Sequence, residues 1–166
     1  RCKRKVLKMA KGIVIYHSRS GNTKQMAQII AQSMNDSELP TECKSISDVT
    51  PDEIFGYDAI VLGSPTYYGQ MAAPIKQLID DLVSRHGQLD CKVGAAFSSS
   101  SNIGGGNETT IMGIIEAMLI SGMVVQGDAK GDHYGPVSIG KPDKRVETQC
   151  IRRGKRIAEL TKKLTA

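Results

Sequence analysis

Residues 12–31 read GIVIYHSRSGNTKQMAQIIA, and the pattern that continues through the rest of the chain begins here. It begins with a short apolar run rich in β-branched residues at 12–17, which predicts a strand buried on both faces. From Thr23 onward the apolar residues recur at helical spacing, which predicts an amphipathic helix that ends near Pro40. A turn rich in hydroxyl side chains, residues 18–23, separates the two elements. The stretch therefore predicts a strand and a helix joined by a small polar loop.

The same alternation continues to the end of the chain. Further strands are predicted at residues 42–46, 59–63, 92–97 and 123–126, with the first of these at an edge of the sheet. Further helices are predicted around residues 74–83, 111–119 and 146–164. Residues 128–143 hold three glycines and two prolines and are predicted to form a long loop. Alternating strands and helices imply parallel crossovers and a sheet covered on both faces, here as a single domain over residues 11–166.

The net charge of +5 comes entirely from the start of the chain. The first eight residues hold five basic side chains and no acidic one, so the remaining residues are neutral overall. We interpret residues 1–10 as a disordered basic leader rather than a nucleic-acid-binding arm, because no basic face continues behind it. The chain has no apolar run long enough to span a bilayer and no signal-peptide pattern, so we expect a cytoplasmic protein without membrane insertion.

The four cysteines are too far apart for a metal or disulfide framework. Cys2, Cys43, Cys91 and Cys150 form no Cys-x-x-Cys pair. Zinc ribbons, iron–sulfur clusters and disulfide scaffolds need closer or more numerous sulfurs. We therefore expect reduced cysteines, most of them in the core, and no metal site.

Three loops follow the carboxyl ends of predicted strands. In doubly wound sheets, ligands bind outside these ends, where the winding reverses. The loops are residues 18–23, 64–69 and 98–106, and all three are rich in small or hydroxyl residues. The topology therefore predicts one ligand site built from the three loops.

The first loop has the donors of a phosphate site. Its hydroxyl and amide groups, together with free backbone N–H groups, lie at the amino end of the first helix, where the helix dipole favours an anion. The loop is neither a P-loop nor a Gly-x-Gly-x-x-Gly dinucleotide motif, so a monophosphate is the better match. The alternative is an ordinary serine or threonine helix cap without a ligand.

The second and third loops suit a flat ring. Tyr67 and Tyr68 are adjacent in a chain with only seven aromatic residues, and they offer ring faces to a heterocycle. The alternative is that they only cover the sheet. The glycines of the third loop, 104–106, allow backbone N–H groups to approach a ligand edge closely.

These motifs together resemble the flavodoxin-like superfamily. The resemblance rests on SRSGNT, GSPTYYGQMAAPIKQLIDDL, FSSSSNIGGGNETT and the later HYGP, and it covers about residues 12–160. Within the superfamily the chain is most similar to the tryptophan-repressor-binding-protein-like NAD(P)H:quinone oxidoreductases. The resemblance implies a three-layer α/β sandwich with a five-stranded parallel sheet of order 2-1-3-4-5.

The resemblance also implies an FMN site. In that family, NAD(P)H reduces the flavin and a hydride then passes from flavin N5 to a quinone, with the flavin supplying the chemistry. No side chain of this chain is assigned a catalytic role. The implied phosphate contacts are Ser18, Arg19, Ser20, Gly21, Asn22 and Thr23; the implied ring contacts are Pro65, Thr66, Tyr67, Tyr68 and Gly69; and the implied ribityl and pyrimidine contacts are Ser98, Ser99, Ser100, Ser101, Asn102, Ile103 and Gly104.

Three functions remain open from the sequence. The first is an FMN-dependent NAD(P)H:quinone oxidoreductase, as a homodimer or homotetramer. The second is a flavodoxin-type electron carrier that serves a redox-protein partner, although the neutral body of the chain lacks the acidity expected of such carriers. The third is a phosphate-binding signalling domain of the same topology. Quinone reductases of this group have longer segments than this chain after the second strand and before the Tyr-Gly pair, here Tyr134 and Gly135.

Overall fold

A computed structural model describes residues 9–166, so the predicted leader lies almost entirely outside the described residues. The strands are β1 (Gly12–Tyr16), β2 (Thr41–Ser45), β3 (Ala59–Tyr67), β4 (Gln70–Met71), β5 (Val93–Ser100), β6 (Val124–Val125) and β7 (Val137–Ile139). The α-helices are α1 (Asn22–Asp36), α2 (Pro51–Ile54), α3 (Ala73–Asp81), α4 (Asn107–Ile120) and α5 (Lys144–Thr165). Short 3-10 helices span Ile46–Asp48 and Leu82–Arg85.

The sheet confirms the predicted order. Its strands run β2-β1-β3-β5-β6, all parallel, with β2 at one edge. Both β6 and β7 pair with β5 in the same parallel sense, so together they occupy the predicted fifth position. The fold is thus a parallel sheet with helices on both sides. The prediction of an unbroken loop over residues 128–143 is wrong, because β7 lies within it.

Two hydrophobic cores cover the two faces of the sheet. Alternate residues of β1 point to opposite faces, with Val14 on one side and Ile13 and Ile15 on the other. The Val14 side is covered by α1 and α5, and the Ile13 side by α3 and α4. This two-sided burial explains why the central strands read as continuous apolar runs.

The closing helix α5 begins at a side-chain cap and packs closely on α1. Asp143 accepts a hydrogen bond from the Val146 backbone N–H at 2.9 Å. Gly154 permits the close approach, since a Cβ there would lie 2.7 Å from the Ile30 carbonyl oxygen. In residues 9–166 no helix has the length and apolar character needed to cross a bilayer.

Arginines of α5 stabilise the arrangement in which β6 and β7 share the predicted fifth position of the sheet. Arg153 is almost completely buried and donates to the carbonyl oxygens of Gln126 and Tyr134 at 2.6 and 3.3 Å. Arg152 donates to both carboxylate oxygens of the buried Asp128, at 2.5 and 2.8 Å. These bonds hold the connection between β6 and β7 against α5, and β7 therefore reaches the carboxyl end of β5.

Two predictions about strand ends and cysteines need correction. Strands β3 and β5 extend past their predicted ends at 63 and 97, because hydrogen bonding between neighbours continues into the polar residues. Cys150 is buried, but Cys43 and Cys91 are exposed. The expectation that most cysteines lie in the core is therefore wrong for the described residues, since Cys43 lies on an edge strand and Cys91 in a loop.

Candidate functional site

The three predicted loops meet around one pocket of about 240 Å³ at the carboxyl ends of β1, β3 and β5. The pocket is lined by Arg19, Ser20, Asn22, Thr23, Pro65, Thr66, Tyr67, Ser99, Ser100, Ser101 and Gly140. A larger open groove of about 950 Å³ lies between α1 and α5, away from the strand ends where this topology places ligands. We therefore treat the three-loop pocket as the candidate site.

Some predicted residues do not line this pocket. They lie beside it, beneath its wall or on the outer surface: Ser18, Gly21, Tyr68, Gly69, Ser98, Asn102, Ile103 and Gly104. Ile103 is almost fully exposed on the outer side of the third loop. The structure thus brings part of each predicted loop to the site.

The first loop leaves the amino end of α1 open. Gly21 precedes the helix with a left-handed backbone, φ 91°, and no side chain caps the helix there. Ser18 Oγ accepts a hydrogen bond from the Gly21 N–H at 3.1 Å, which closes the turn ahead of the helix. The first N–H groups of a helix have no partner within it. Because these groups are uncapped here, they are available to an anion in the pocket.

The charges around the pocket also favour an anion. Arg19 lies in the wall, and no Asp or Glu of the described residues lines it. The neighbouring His17 has a lowered pKa, first because it is partly buried and second because Arg19 is close. A positive helix end beside a guanidinium gives a local field suited to a negatively charged ligand.

Hydroxyl side chains connect the three loops behind the pocket. Thr23 Oγ1 and Ser99 Oγ are 2.9 Å apart and join the first loop to the third. Thr66 Oγ1 and Ser98 Oγ are also 2.9 Å apart and join the second loop to the third. These bonds fix the three backbone segments relative to one another, so the pocket is built before any ligand enters.

The second loop is a tight hairpin between β3 and β4. Its two central residues, Tyr68 and Gly69, have φ of 53° and 75°, a pair of positive values typical of a type I′ turn. A positive φ is unusual for a bulky residue such as tyrosine. The ring of Tyr67 lines the pocket, whereas Tyr68 is fully exposed outside it. Of the two tyrosines among the predicted ring contacts, only Tyr67 therefore faces the site.

The third loop begins inside β5 and packs on the hairpin turn. A Cβ at Gly106 would lie 2.6 Å from the Gly69 Cα, so glycine is needed where the two loops cross. Thr109 Oγ1 donates to the Gly69 carbonyl oxygen at 2.7 Å and holds this crossing from the first turn of α4. The crossing places the turn of the second loop against the amino end of α4.

Gly140 lines the pocket but was missed by sequence reasoning. It follows β7, and its N–H donates to the Ser100 carbonyl oxygen at 2.7 Å. The alternating pattern of Val137, Ser138 and Ile139 is a strand signal that could have located it, but glycines and prolines on both sides indicated a loop. Pairing with β5 decides that these residues form a strand.

The donor set fits FMN on chemical grounds. A phosphate monoester needs converging donors and positive charge, which the open helix end, Ser20 and Arg19 supply. A planar heterocycle needs an apolar or aromatic wall, which Pro65 and Tyr67 supply. Both requirements are met within the same pocket.

The strand order and the position of this pocket define the flavodoxin-like class of α/β proteins. Residues 13–102 match the profile of the Flavodoxin domain family, more than half of the chain. The chain belongs to the flavodoxin family.

Comparisons with individual proteins point to two kinds of relative. A flavodoxin of Aquifex aeolicus is 36% identical over 160 residues, which is 91% of this chain and 86% of that protein. An NAD(P)H dehydrogenase (quinone) of Archaeoglobus fulgidus is 32% identical over 192 residues, 94% of this chain and all of that protein. The solved structure of a flavodoxin from the domain Archaea is 33% identical with a TM-score of 0.77, over 92% of this chain and 99% of that one.

The two relatives differ in the insertions that their alignments with this chain require. The alignment with the quinone dehydrogenase covers 192 positions, more than the 166 residues of this chain. That relative therefore carries insertions that this chain lacks, as expected for quinone reductases of this group. The flavodoxin alignment covers 160 positions and needs no comparable insertions.

Proposed function

We propose that this chain binds FMN in the three-loop pocket and transfers electrons from NAD(P)H to a quinone. The observation that carries the proposal is the convergence of the open α1 terminus, Arg19 and Tyr67 on one pocket. Charge and donors for a phosphate lie at one part of this pocket, and a wall for a flat ring lies at another.

The residues of the chain bind and orient the cofactor. Ser20, Thr23 and Arg19 hold the phosphate together with the first N–H groups of α1. Pro65 and Tyr67 contact the ring system. Ser99 to Ser101 contact the polar part of the cofactor that lies between the phosphate and the ring. Bound FMN supplies the two-electron redox chemistry, while the protein sets its position and its redox potential. No side-chain acid or base of the chain is assigned to the reaction.

Relatives support the reductase activity. Several of them carry the name NAD(P)H dehydrogenase (quinone) at 31–34% identity. On this proposal, NADH or NADPH is the electron donor and a quinone the acceptor, and the protein works in the cytoplasm. A homodimer or homotetramer would complete the open pocket with residues of a second subunit.

A flavodoxin-type electron carrier is the second candidate. The missing insertions favour it, because the chain matches a flavodoxin over nearly its whole length without them. A carrier would bind FMN at the same residues and exchange electrons with a redox-protein partner, without a nicotinamide site of its own.

The deciding experiment follows the visible absorption of the FMN-loaded protein after NADH or NADPH is added without oxygen. Bleaching of the flavin band within seconds supports the reductase. Retention of FMN without bleaching, followed by bleaching with dithionite, supports the carrier. Failure to retain FMN contradicts both candidates. Riboflavin, which lacks the phosphate, is the comparison ligand.

A further inference from the structure

A chain of three hydroxyl groups lies behind the ring side of the pocket. Thr110 Oγ1, in the first turns of α4, lies 3.0 Å from Thr66 Oγ1 and donates to it. Ser98 Oγ lies 2.9 Å from the same Thr66 oxygen. Thr110 and Ser98 are completely buried, whereas Thr66 lines the pocket. Of these three hydroxyl groups, only that of Thr66 therefore faces the site.

Thr110 is directed toward Thr66 by the local helix bonding. A helical threonine commonly donates to the carbonyl oxygen four residues earlier, which here is that of Gly106. That oxygen already accepts from the Thr110 N–H at 3.0 Å. The Thr109 hydroxyl also lies 3.0 Å from it, but its one proton goes to the nearer Gly69 carbonyl oxygen. The Thr110 hydroxyl instead crosses to the neighbouring strand and gives its proton to Thr66.

Ser98 donates to Thr66 as well. Among the described residues, Thr66 is the hydrogen-bonding partner that the structure gives to the Ser98 hydroxyl. A buried O–H proton without an acceptor costs free energy, whereas an unused lone pair costs less. With a single partner and no solvent, Ser98 satisfies its proton only by donating to Thr66.

We propose that Thr66 is a pre-oriented hydrogen-bond donor that selects an acceptor atom on the ring of the bound ligand. A hydroxyl group has one proton and two lone pairs. Both lone pairs of Thr66 receive protons, from Ser98 and Thr110, so its own proton is directed into the pocket. The inference deepens the proposed function, since it assigns the polar recognition of the FMN ring to this side chain, with Ser98 and Thr110 as positioning residues.

The first test needs no ligand and measures urea unfolding of the unliganded protein. Thr66→Val leaves two buried protons without an acceptor, so we expect a lower unfolding midpoint. Adding Ser98→Ala and Thr110→Val removes those protons, and we expect much of the loss to be recovered. Ser98→Ala alone is expected to be destabilising, with the exposed Ser84→Ala as the control. The arrangement is overturned if the stability losses of the single variants simply add in the combined variant, or if Ser98→Ala leaves the unfolding midpoint unchanged.

The second test measures FMN affinity by quenching of flavin fluorescence. Thr66→Val is expected to weaken binding about fivefold to tenfold, because one hydrogen bond to the ligand is lost. Thr66→Ser keeps the hydroxyl group and is expected to retain the affinity. Thr110→Val is expected to weaken binding in the natural chain and to have no further effect in the Thr66→Val background. Unchanged affinity of Thr66→Val, or an equal effect of Thr110→Val in both backgrounds, overturns the inference.

The two tests separate this inference from the proposed function. If the unaltered protein fails to bind FMN, the proposed function is wrong, and the unfolding measurements still decide whether both buried protons go to Thr66. If FMN binds but the Thr66 and Thr110 variants behave as the unaltered chain, the inference is wrong and the proposed function stands.

Discussion

The side-chain oxygens of Thr23 and Ser99 lie 2.9 Å apart although 76 positions separate them in the chain. Both residues are buried and both line the pocket, one at the start of α1 and the other inside β5. The first loop, where we propose that the phosphate binds, is therefore joined to the third loop, and a change in either residue affects both loops.

Removal of a phosphate donor tests the first loop. We expect Ser20→Ala to weaken FMN about tenfold, because it removes a hydrogen bond to a charged group. Fluorescence titration measures this, and the affinity for riboflavin, which lacks the phosphate, is expected to stay unchanged. An equal loss for both ligands would place Ser20 elsewhere on the cofactor. Thr23→Ala is expected to weaken FMN and also to lower stability, since it breaks the bond to Ser99.

The two tyrosines of the second loop are expected to behave differently. Tyr67 lines the pocket and Tyr68 is exposed outside it, so Tyr67→Ala should shift the visible spectrum of bound FMN and Tyr68→Ala should not. Absorption spectra of the loaded variants at saturating FMN decide this. A larger shift for Tyr68→Ala would mean that the hairpin closes over the ligand.

Relief of strain in the hairpin should stabilise the protein. Tyr68 has a φ of 53°, a left-handed conformation that asparagine adopts more easily than tyrosine. We expect Tyr68→Asn to raise the free energy of unfolding by up to about 1 kcal/mol in a urea titration. A loss of stability would show that contacts of the Tyr68 ring outweigh its backbone strain.

Gly135 is expected to tolerate no side chain. Its φ is 155°, and a Cβ at this position would overlap the Ala96 carbonyl oxygen on β5. Gly135→Ala should therefore push β7 from the sheet, displace Gly140 and cost roughly 1 to 3 kcal/mol of unfolding free energy. Gly113→Ala is the matched control, because a Cβ there meets only the flexible ends of the Met71 and Gln70 side chains, at 3.3 and 3.8 Å. Equal stability of the two variants would contradict the tight packing.

The Asp128 carboxylate makes stability depend on pH. Its pKa lies well below the usual value, first because Arg152 donates hydrogen bonds to it. The folded state therefore binds fewer protons than the unfolded state, and this stabilisation is present above about pH 4 and is lost as pH falls further. Asp128→Asn should cost roughly 1.5 to 3 kcal/mol at pH 7.

Urea unfolding at pH 7 and pH 3 checks this prediction. The difference between the unaltered protein and Asp128→Asn should shrink at the lower pH, because the carboxylate is then protonated in the unfolded state. A difference that stays constant would assign the effect to packing rather than charge. Lys144→Gln, which removes an exposed charge from the same helix, is the control.

Local sequence patterns were sufficient to predict the first strand and the first helix. The β-branched run at 12–17 and the helical spacing after Thr23 predicted β1 and α1, and both are confirmed. The patterns succeeded because burial on both faces of a strand, or on one face of a helix, requires apolar residues at a fixed period. The edge position of β2 followed from its mixed polarity in the same way.

Elements stabilised by distant partners were not predictable from local pattern. Val137–Ile139 forms a strand only because β5 offers an unpaired edge, and Gly140 reaches the pocket only because β7 does. Arg153 of α5 holds the connection that precedes β7. The partners of Arg153 are backbone carbonyl groups, which leave no signature in a sequence.

The succession of strands and helices along the chain, and the three loops that meet at the pocket, follow from local periodicity and strand polarity in the sequence. Which residues of those loops face the pocket depends instead on how the chain packs in three dimensions. Thr66 lines the wall while Tyr68 turns outward, and the buried Ser98 hydroxyl lies 2.9 Å from Thr66. That choice depends on hairpin geometry and on buried protons finding acceptors across the sheet, and both are properties of neighbours in space rather than along the chain.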